Sequence, residues 1–266
     1  MQLYALEGFL ARLTVSPFAD QLVLKGGVLM AAFDARRPTR DVDLQAQSMS
    51  NGVDEVLSVA CAIAAIKLED GLDFDTESAA ADTIRDEDTY SGVRVTIPGS
   101  LATARLTLHV DLNVGDPVHP APERVALPRL LDGPPIELIG YPLPMVLAEK
   151  IVTAVERGEA NTRWRDFADI YLIAGQHTIK ASDLTDAITT VAAYRDVVVA
   201  PLRGSLPRYA ELAQSRWAAW RRRQRLDALL PTRFADVLET ATALADPILS
   251  DANTGAEWHP AAREWR

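Results

Sequence analysis

The sequence predicts an α/β N-terminal half followed by an all-helical C-terminal half, and three observations carry that prediction. Period-two apolar alternation clusters before residue 140, most cleanly at Leu106, Leu108, Val110, Leu112 and Val114. Prolines at 117, 120, 122, 128, 134 and 135 then punctuate a region of short strands. From Pro142 onward the apolar residues recur instead at helical spacing, beginning with Leu147, Ile151, Ala154 and Val155. The boundary falls near residue 140, giving a core of residues 1–140 and a helical lobe of residues 141–266.

In chain order, residues 2–13 have the pattern of a short amphipathic helix, and Ser16-Pro17 leads into the apolar strand Leu22-Val23-Leu24. A glycine pair, Gly26-Gly27, follows, then a helix-like Val28–Phe33 and the basic turn Arg36-Arg37-Pro38-Thr39-Arg40. An acidic strand, Asp41-Val42-Asp43-Leu44, comes next. Residues 51–66 form a helix pattern with Asn51 or Ser50 as its cap. Residues 67–90 are acid-rich and irregular, with room for a strand and a hairpin. Val93, Val95 and Ile97 alternate as a strand that ends at Pro98-Gly99. Beyond Pro142 and Pro144, which suit a helix start, further helices are expected at 162–174, 182–194, 208–229 and 232–247. The tail 248–266 has no period, but Trp258 and Trp265 suggest that it is pinned to the body.

Composition sets the class. Among 266 residues, 48% hydrophobic and 24% charged content are those of a globular protein with a proper core. No apolar run is long enough to span a membrane, and Met1-Gln2-Leu3-Tyr4 lacks the basic start of a signal peptide. The single Cys61 excludes an internal disulfide and reads as a small core residue, which fits a reducing cytoplasm. The formal net charge of −10 argues against general nucleic-acid binding. Arginine nevertheless gathers at 36–40, 157–165 and 203–225, so an RNA-contacting face would be local.

The most informative stretch is residues 26–44. Strand alternation puts Asp41 and Asp43 on one face, with Val42 and Leu44 turned to the core. Carboxylates held that close repel unless a cation sits between them, and a hard ion such as Mg2+, with Mn2+ as the alternative, answers that need. The glycines leave room for a triphosphate, and a helix starting at Val28 would aim free N–H groups at its oxygens. A Gly-Gly pair or an Asp-x-Asp alone is commonly structural; the order of strand, glycines, helix, basic turn and acidic strand favours a metal–nucleotide site. On the strand 106–114 the polar face presents Thr107, His109, Asp111 and Asn113. If this strand lies beside Asp41 and Asp43, Asp111 is a third carboxylate, as two-ion phosphoryl chemistry uses; otherwise it belongs to a half-solvated face. Lys150 sits at the edge of a buried helical stripe, either reaching water or a phosphate. In 163–171, Trp164, Phe167, Ala168 and Tyr171 make one stripe, and Arg165 and Asp169 are spaced as an i,i+4 pair.

Taken in order, Lys25-Gly26-Gly27, Arg37-Pro38-Thr39-Arg40-Asp41-Val42-Asp43-Leu44, Ala148-Glu149-Lys150 and Arg165-Asp166-Phe167-Ala168-Asp169-Ile170-Tyr171 resemble the AbiEii/MenT family of nucleotidyltransferase toxins. Pro231-Thr232-Arg233-Phe234 and Pro247-Ile248-Leu249 also look like that family. The resemblance implies a polymerase-β-like core with a mixed sheet bearing the metal site, and a helical lobe closing the cleft. It implies transfer of a nucleoside monophosphate from an NTP, with the 3′ end of tRNA as acceptor, and a cognate antitoxin as partner. A protein side chain or a small molecule such as an antibiotic is the alternative acceptor. By position, Asp41 and Asp43 would bind Mg2+; Asp111 as a further ligand rests on the strand reading alone, since the family does not always use a carboxylate at that position. Lys25, Gly26 and Gly27 would cradle the triphosphate, Lys150 would contact it, and Asp166 or Asp169 would complete the site. Arg37 and Arg40 are candidates for the triphosphate or the acceptor end, or are solvated turn residues. The superfamily often has Gly-Ser where this chain has Gly26-Gly27, so a hydroxyl contact to phosphate must come from elsewhere.

Two further features stay open. Arg216, Trp217, Trp220, Arg221, Arg222, Arg223 and Arg225 could form a face for the tRNA acceptor stem, an antitoxin interface, or tryptophan packing with a solvated arginine flank. Thr39 lies two residues before Asp41. Because some relatives are silenced by kinase-like antitoxins, it is a hypothetical phosphorylation point, where about −1.5 to −2 charges would oppose metal binding.

Overall fold

The computed structural model describes residues 1–47, 49–50, 52–85, 91–250 and 255–266. The chain forms two compact units. The first comprises Met1–Ala32, Arg36–Asp116 and Pro122–Tyr141, and the second Phe33–Ala35, Pro117–Ala121 and Pro142–Arg266.

The first unit is a mixed α/β layer. In order it contains α1 (Gln2–Thr14), β1 (Leu22–Lys25), the short α2 (Gly26–Leu29) continued by a 3-10 turn, β2 (Asp41–Ala46) and α3 (Val53–Ala64). Strands β3 (Leu72–Phe74), β4 (Ala80–Arg85), β5 (Ser91–Leu101), β6 (Ala104–Val114), β7 (Glu123–Leu127) and β8 (Ile136–Gly140) follow. They form one mixed sheet in the order β3-β5-β6-β2-β1-β8-β7, with β4 also on β5. Strand β2 is antiparallel to β1 and parallel to β6. On β6 the alternation is realised: Leu108, Val110 and Leu112 are buried to within 1%.

Three local departures from the sequence pattern have physical reasons. Strand β5 runs through Pro98 instead of ending there. Its outer edge pairs with β4 over Ser91–Thr96 and with β3 over Gly99–Leu101, so Pro98 sits where the partner changes and its missing N–H costs no ladder bond. Helix α3 starts after Gly52, not at Ser50, because the Ser50 hydroxyl bonds the Glu55 carboxylate and takes the Gly52 N–H at 3.4 Å; the other expected cap, Asn51, lies outside the described residues. Cys61 is half-buried rather than a core residue, and burial pushes its thiol pKa up. The acid-rich segment is anchored by Arg12, which is 1% exposed and grips Asp70 in bidentate fashion at 2.6 and 3.0 Å. That contact holds the Asp70 carboxyl below its usual range against the opposing effect of burial.

The second unit is helical: α4 (Leu143–Arg157), α5 (Trp164–Ala174), β9 (Ile179–Lys180), α6 (Ala181–Arg195), α7 (Leu202–Ser205), α8 (Tyr209–Arg223), α9 (Phe234–Leu249), β10 (Glu257–His259) and β11 (Glu264–Trp265). Its centre is aromatic: Phe167, Tyr209, Trp217 and Phe234 meet in tilted or edge-to-face pairs with ring centroids 5.3–5.6 Å apart. Helix α8 stops at Arg223, short of the expected 229. Arg225 takes φ 57, and the Leu226 and Arg225 N–H groups bond back to Arg221 and Arg222 in a Schellman turn. The tail without a period forms β10 and β11, with β10 paired to β9. Trp258 donates to the Ala174 carbonyl at 2.7 Å and Trp265 to that of Leu244 at 3.0 Å. Among the described residues no helix is long and apolar enough to cross a membrane.

Candidate active site

The acidic strand is positioned by its register. Lys25↔Asp43 are paired across β1 and β2, and Asp43↔Asp111 and Asp41↔His109 across β2 and β6. The sheet thus brings the three aspartates of the sequence argument onto adjoining strands. Asp41 and Asp43 share the face opposite Val42 and Leu44, which are fully buried.

The glycine turn fits against this strand with no space to spare. Gly26 has φ +69, where side chains are disfavoured, and a Cβ there would lie 2.0 Å from Asp43 Oδ2. A Cβ on Gly27 would lie 2.6 Å from Thr39 Oγ1 and 3.2 Å from an Arg37 nitrogen. The space that the glycines leave is therefore taken by protein side chains, Asp43 at Gly26 and Thr39 with Arg37 at Gly27. Two expectations change accordingly. The helix begins at Gly26 rather than Val28, and the Gly27 N–H donates to Asp43 Oδ2 at 3.3 Å instead of standing open to a phosphate. The hydroxyl that a serine after Gly26 would supply has a counterpart, because Thr39 Oγ1 occupies that neighbourhood.

Electrostatically the site carries excess negative charge. Burial, then the neighbouring Asp111, raise the Asp43 pKa from 3.8 to about 6, against the Gly27 N–H and Lys25, which lower it. Asp111 is 8% exposed and is gripped by Arg94 on β5, Nε to Oδ1 at 2.7 Å and a terminal nitrogen to Oδ2 at 2.5 Å. The same terminal nitrogen lies 3.6 Å from Asp41 Oδ2. These contacts hold the Arg94 pKa well above its ordinary value, with the Asp111 hydrogen bond as the largest raising influence against desolvation. Among the described residues no group of three or more His, Cys, Asp or Glu side chains is arranged to hold a metal. Asp41 and Asp43 by themselves suit a hard ion of the Mg2+ type, which takes one or two carboxylates and fills the remaining positions with water and phosphate oxygens.

Around this pair, Lys25 is 9% exposed and donates to Asp116 at 3.1 Å, with its ammonium 5.6 Å from the Tyr141 ring. Arg37 is 8% exposed, whereas Arg40 is exposed. His109 shares a 3.2 Å hydrogen bond with the Thr96 hydroxyl.

In the second unit, Lys150 does not reach for water. Its ammonium donates to Asp169 at 2.7 Å and to Asp166 at 3.2 Å, and Arg163 donates to Asp166 at 2.6 Å. Asp169 is 0% and Asp166 5% exposed, so the inward stripe of α5 includes both aspartates, while Trp164 and Tyr171 are only half-buried. Burial would raise the Asp166 pKa, but Lys150 and Arg163 outweigh it and hold the carboxyl far below its usual range. In the arginine cluster, Trp217 and Trp220 are buried and stacked on each other, and Arg221 clasps Asp227 at 3.1 Å and the Leu230 carbonyl at 2.9 Å. Arg216, Arg222 and Arg225 are exposed.

Sequence reasoning missed Arg94, Asp116 and Arg163. Arg94 alternates with Val93 and Val95 on the polar face of its strand, and that was the available signal. Its partner follows only from the β5–β6 register.

The comparisons agree with this architecture. The model of the family "Nucleotidyl transferase AbiEii toxin, Type IV TA system" matches residues 8–240. Among curated proteins, none matches the chain significantly. Of solved structures, JHP933 from Helicobacter pylori is 15% identical over 94% of this chain and 91% of that one, with a TM-score of 0.50. A second Helicobacter pylori protein, provisionally described as a nucleotidyltransferase, is 16% identical over 93% and 92%, with a TM-score of 0.49. At such identity the first likeness shows the fold alone. The family match, spanning most of the chain, shows more: this protein belongs to the AbiEii family of nucleotidyltransferase toxins of type IV toxin–antitoxin systems.

Proposed function

We propose that this toxin transfers a nucleoside monophosphate from an NTP to the 3′ end of tRNA, using a divalent ion held by Asp41 and Asp43. The observation that carries the reading is the contact of Asp43 with the Gly26-Gly27 turn, beside Asp41 on the same face of β2. Bound there, Mg2+ would supply the positive charge that polarises a phosphoryl oxygen. Asp41 and Asp43 would hold the nucleotide's metal. The Thr39 hydroxyl, beside Gly27, is placed to donate to a phosphate oxygen. Arg37 and the exposed Arg40 add positive charge for the triphosphate or the acceptor end. In the transfer the 3′-oxygen forms a bond to the α-phosphorus, the α–β bridging bond breaks, pyrophosphate leaves, and the hydroxyl proton passes to water.

For Lys150, Asp166 and Asp169 the proposal of a catalytic role rests on their match to the family's segments. Thr39 is likewise proposed as the point at which phosphorylation would silence the enzyme, since the added charge would sit beside the metal-holding carboxylates. A reducing cytoplasm, a cognate antitoxin and a tRNA acceptor stem are the corresponding proposed setting and partners, with Arg216, Arg222 and Arg225 as solvent-facing candidates for the stem or the antitoxin. A second reading, transfer to a protein side chain or a small hydroxyl compound, draws support from the net charge of −10.

Incubation with each α-labelled NTP and total tRNA, with and without Mg2+, tests the proposal. Label at the tRNA 3′ end that requires the metal is expected. Label that appears on protein or small hydroxyl compounds but never on tRNA overturns the acceptor assignment.

A further inference from the structure

We propose that Arg94 is a built-in cation that takes the place of a second divalent ion, so that the site loads one ion on Asp41 and Asp43 and uses Asp111 as the anchor of Arg94, not as a metal ligand. The inference deepens the nucleotidyltransfer reading and rests on it.

The sheet itself sets this arrangement. Arg94↔Asp111 are direct partners across the antiparallel β5–β6 pair, and Asp43↔Asp111 across the parallel β2–β6 pair, so three adjacent strands place arginine, aspartate and aspartate in one row. Both Asp111 oxygens accept from the guanidinium, at 2.7 and 2.5 Å. A carboxylate engaged in that fork, and 8% exposed, has little left to offer an ion that demands oxygens at about 2.0–2.1 Å in octahedral array. Arginine cannot surrender its proton in a protein, so the charge is permanent. The terminal nitrogen that binds Asp111 also faces Asp41 at 3.6 Å, placing positive charge between two carboxylates where a bridging ion would otherwise stand. With Lys25 already paired to Asp116, the carboxylates of Asp41, Asp43 and Asp111 against Arg94 and one divalent ion sum to zero, and a second divalent ion would leave this group of side chains positive. Arg94 is also more than a buried structural ion, because its side chain is 43% exposed. Arg94 is thus a positioning residue: it fixes the number of ions and holds Asp111 away from them.

Titration of the full-length protein with Mn2+ alone, followed by electron paramagnetic resonance, reads the ion count directly. Two ions at the about 3.5–4 Å spacing of two-metal sites broaden each other's signal, which separates a close pair from weak surface binding. The wild type is expected to bind one Mn2+ at the site with no pair signal. R94M, which frees Asp111, is expected to bind two and to show the pair signal. The double variant R94M/D111N is expected to return to one, and thermal unfolding confirms that each variant is folded. If R94M does not fold, R94Q serves, since its neutral amide supplies neither the charge nor the two-nitrogen fork and Asp111 again becomes available. A pair signal in the wild type overturns the inference and leaves the nucleotidyltransfer reading standing, as does a folded R94M (or R94Q) that still binds one ion. A wild type that binds no Mn2+ at the site overturns both.

Discussion

Two acidic clusters, one in each unit, have been resolved in opposite ways. In the helical unit Asp166 and Asp169 are buried but fully answered by Lys150 and Arg163, and the Asp166 pKa is driven far down. In the sheet unit burial, Asp111 and Asp41 outweigh the Gly27 N–H and Lys25, and the Asp43 pKa is driven up to about 6. One cluster is electrostatically complete as folded. The other carries a charge deficit that a bound cation would remove, and evolution tolerates such a deficit where function uses it. The comparison teaches that burial alone does not set the direction of a carboxylate's pKa; the compensation around it does.

The sharpest way to break the contrast is to neutralise one carboxylate in each setting. Asp43→Asn keeps an acceptor for the Gly27 N–H but removes the repelling charge. Transfer should fall by about 10³-fold or more, on the scale of several kcal/mol of lost charge stabilisation. The unfolding midpoint should hold or rise. Labelled-NTP incorporation beside thermal unfolding checks both, and a clear loss of stability would show that Asp43 is a structural residue after all.

Lys150→Met should do the reverse to the helical unit. Two buried carboxylates would lose a shared partner, at a cost of about 3–5 kcal/mol. Asp169→Asn in the same chain should restore part of it. Urea unfolding measures both steps, and a Lys150→Met protein as stable as wild type would place the lysine's importance wholly in chemistry.

The smallest effect sharpens the comparison through pH. The folded state keeps a proton on Asp43 up to about 6, whereas the unfolded chain releases it near 3.8. The folded state therefore binds more protons in that window, and its stability declines as pH rises through it. Asp166, shifted down, stabilises above the ordinary carboxylate range and loses that contribution only in acid. Unfolding midpoints of wild type and Asp43→Asn across this range should diverge, the wild type losing ground as pH rises. Parallel curves would contradict the charge deficit.

Much of this was legible in the chain, and the residues that were not share a cause. The glycine turn, the Asp41/Asp43 face and the β6 alternation are local patterns, readable at period two. The Arg94–Asp111 fork is not local. It depends on a hairpin whose turn, Leu101-Ala102-Thr103-Ala104, lacks the Asn-Gly signal that fixes register, with Ala102 itself at φ 52. Likewise Arg225 closes α8 in a conformation usually announced by glycine. The burial of Asp166 and Asp169 could not be seen because α5 alone reads as an ordinary solvated face; only Lys150, on another helix, makes it tolerable. Thr39 was legible as a neighbour of Asp41 but not as the side chain filling the gap at Gly27.

The last strands carry a consequence for anyone who shortens this protein. The family match ends at residue 240, yet Trp258 lies beyond it and fastens the final carbonyl of α5, the helix that bears Asp166 and Asp169. A truncation drawn at the edge of the recognisable domain would retain every candidate site residue and discard the peg that steadies that helix.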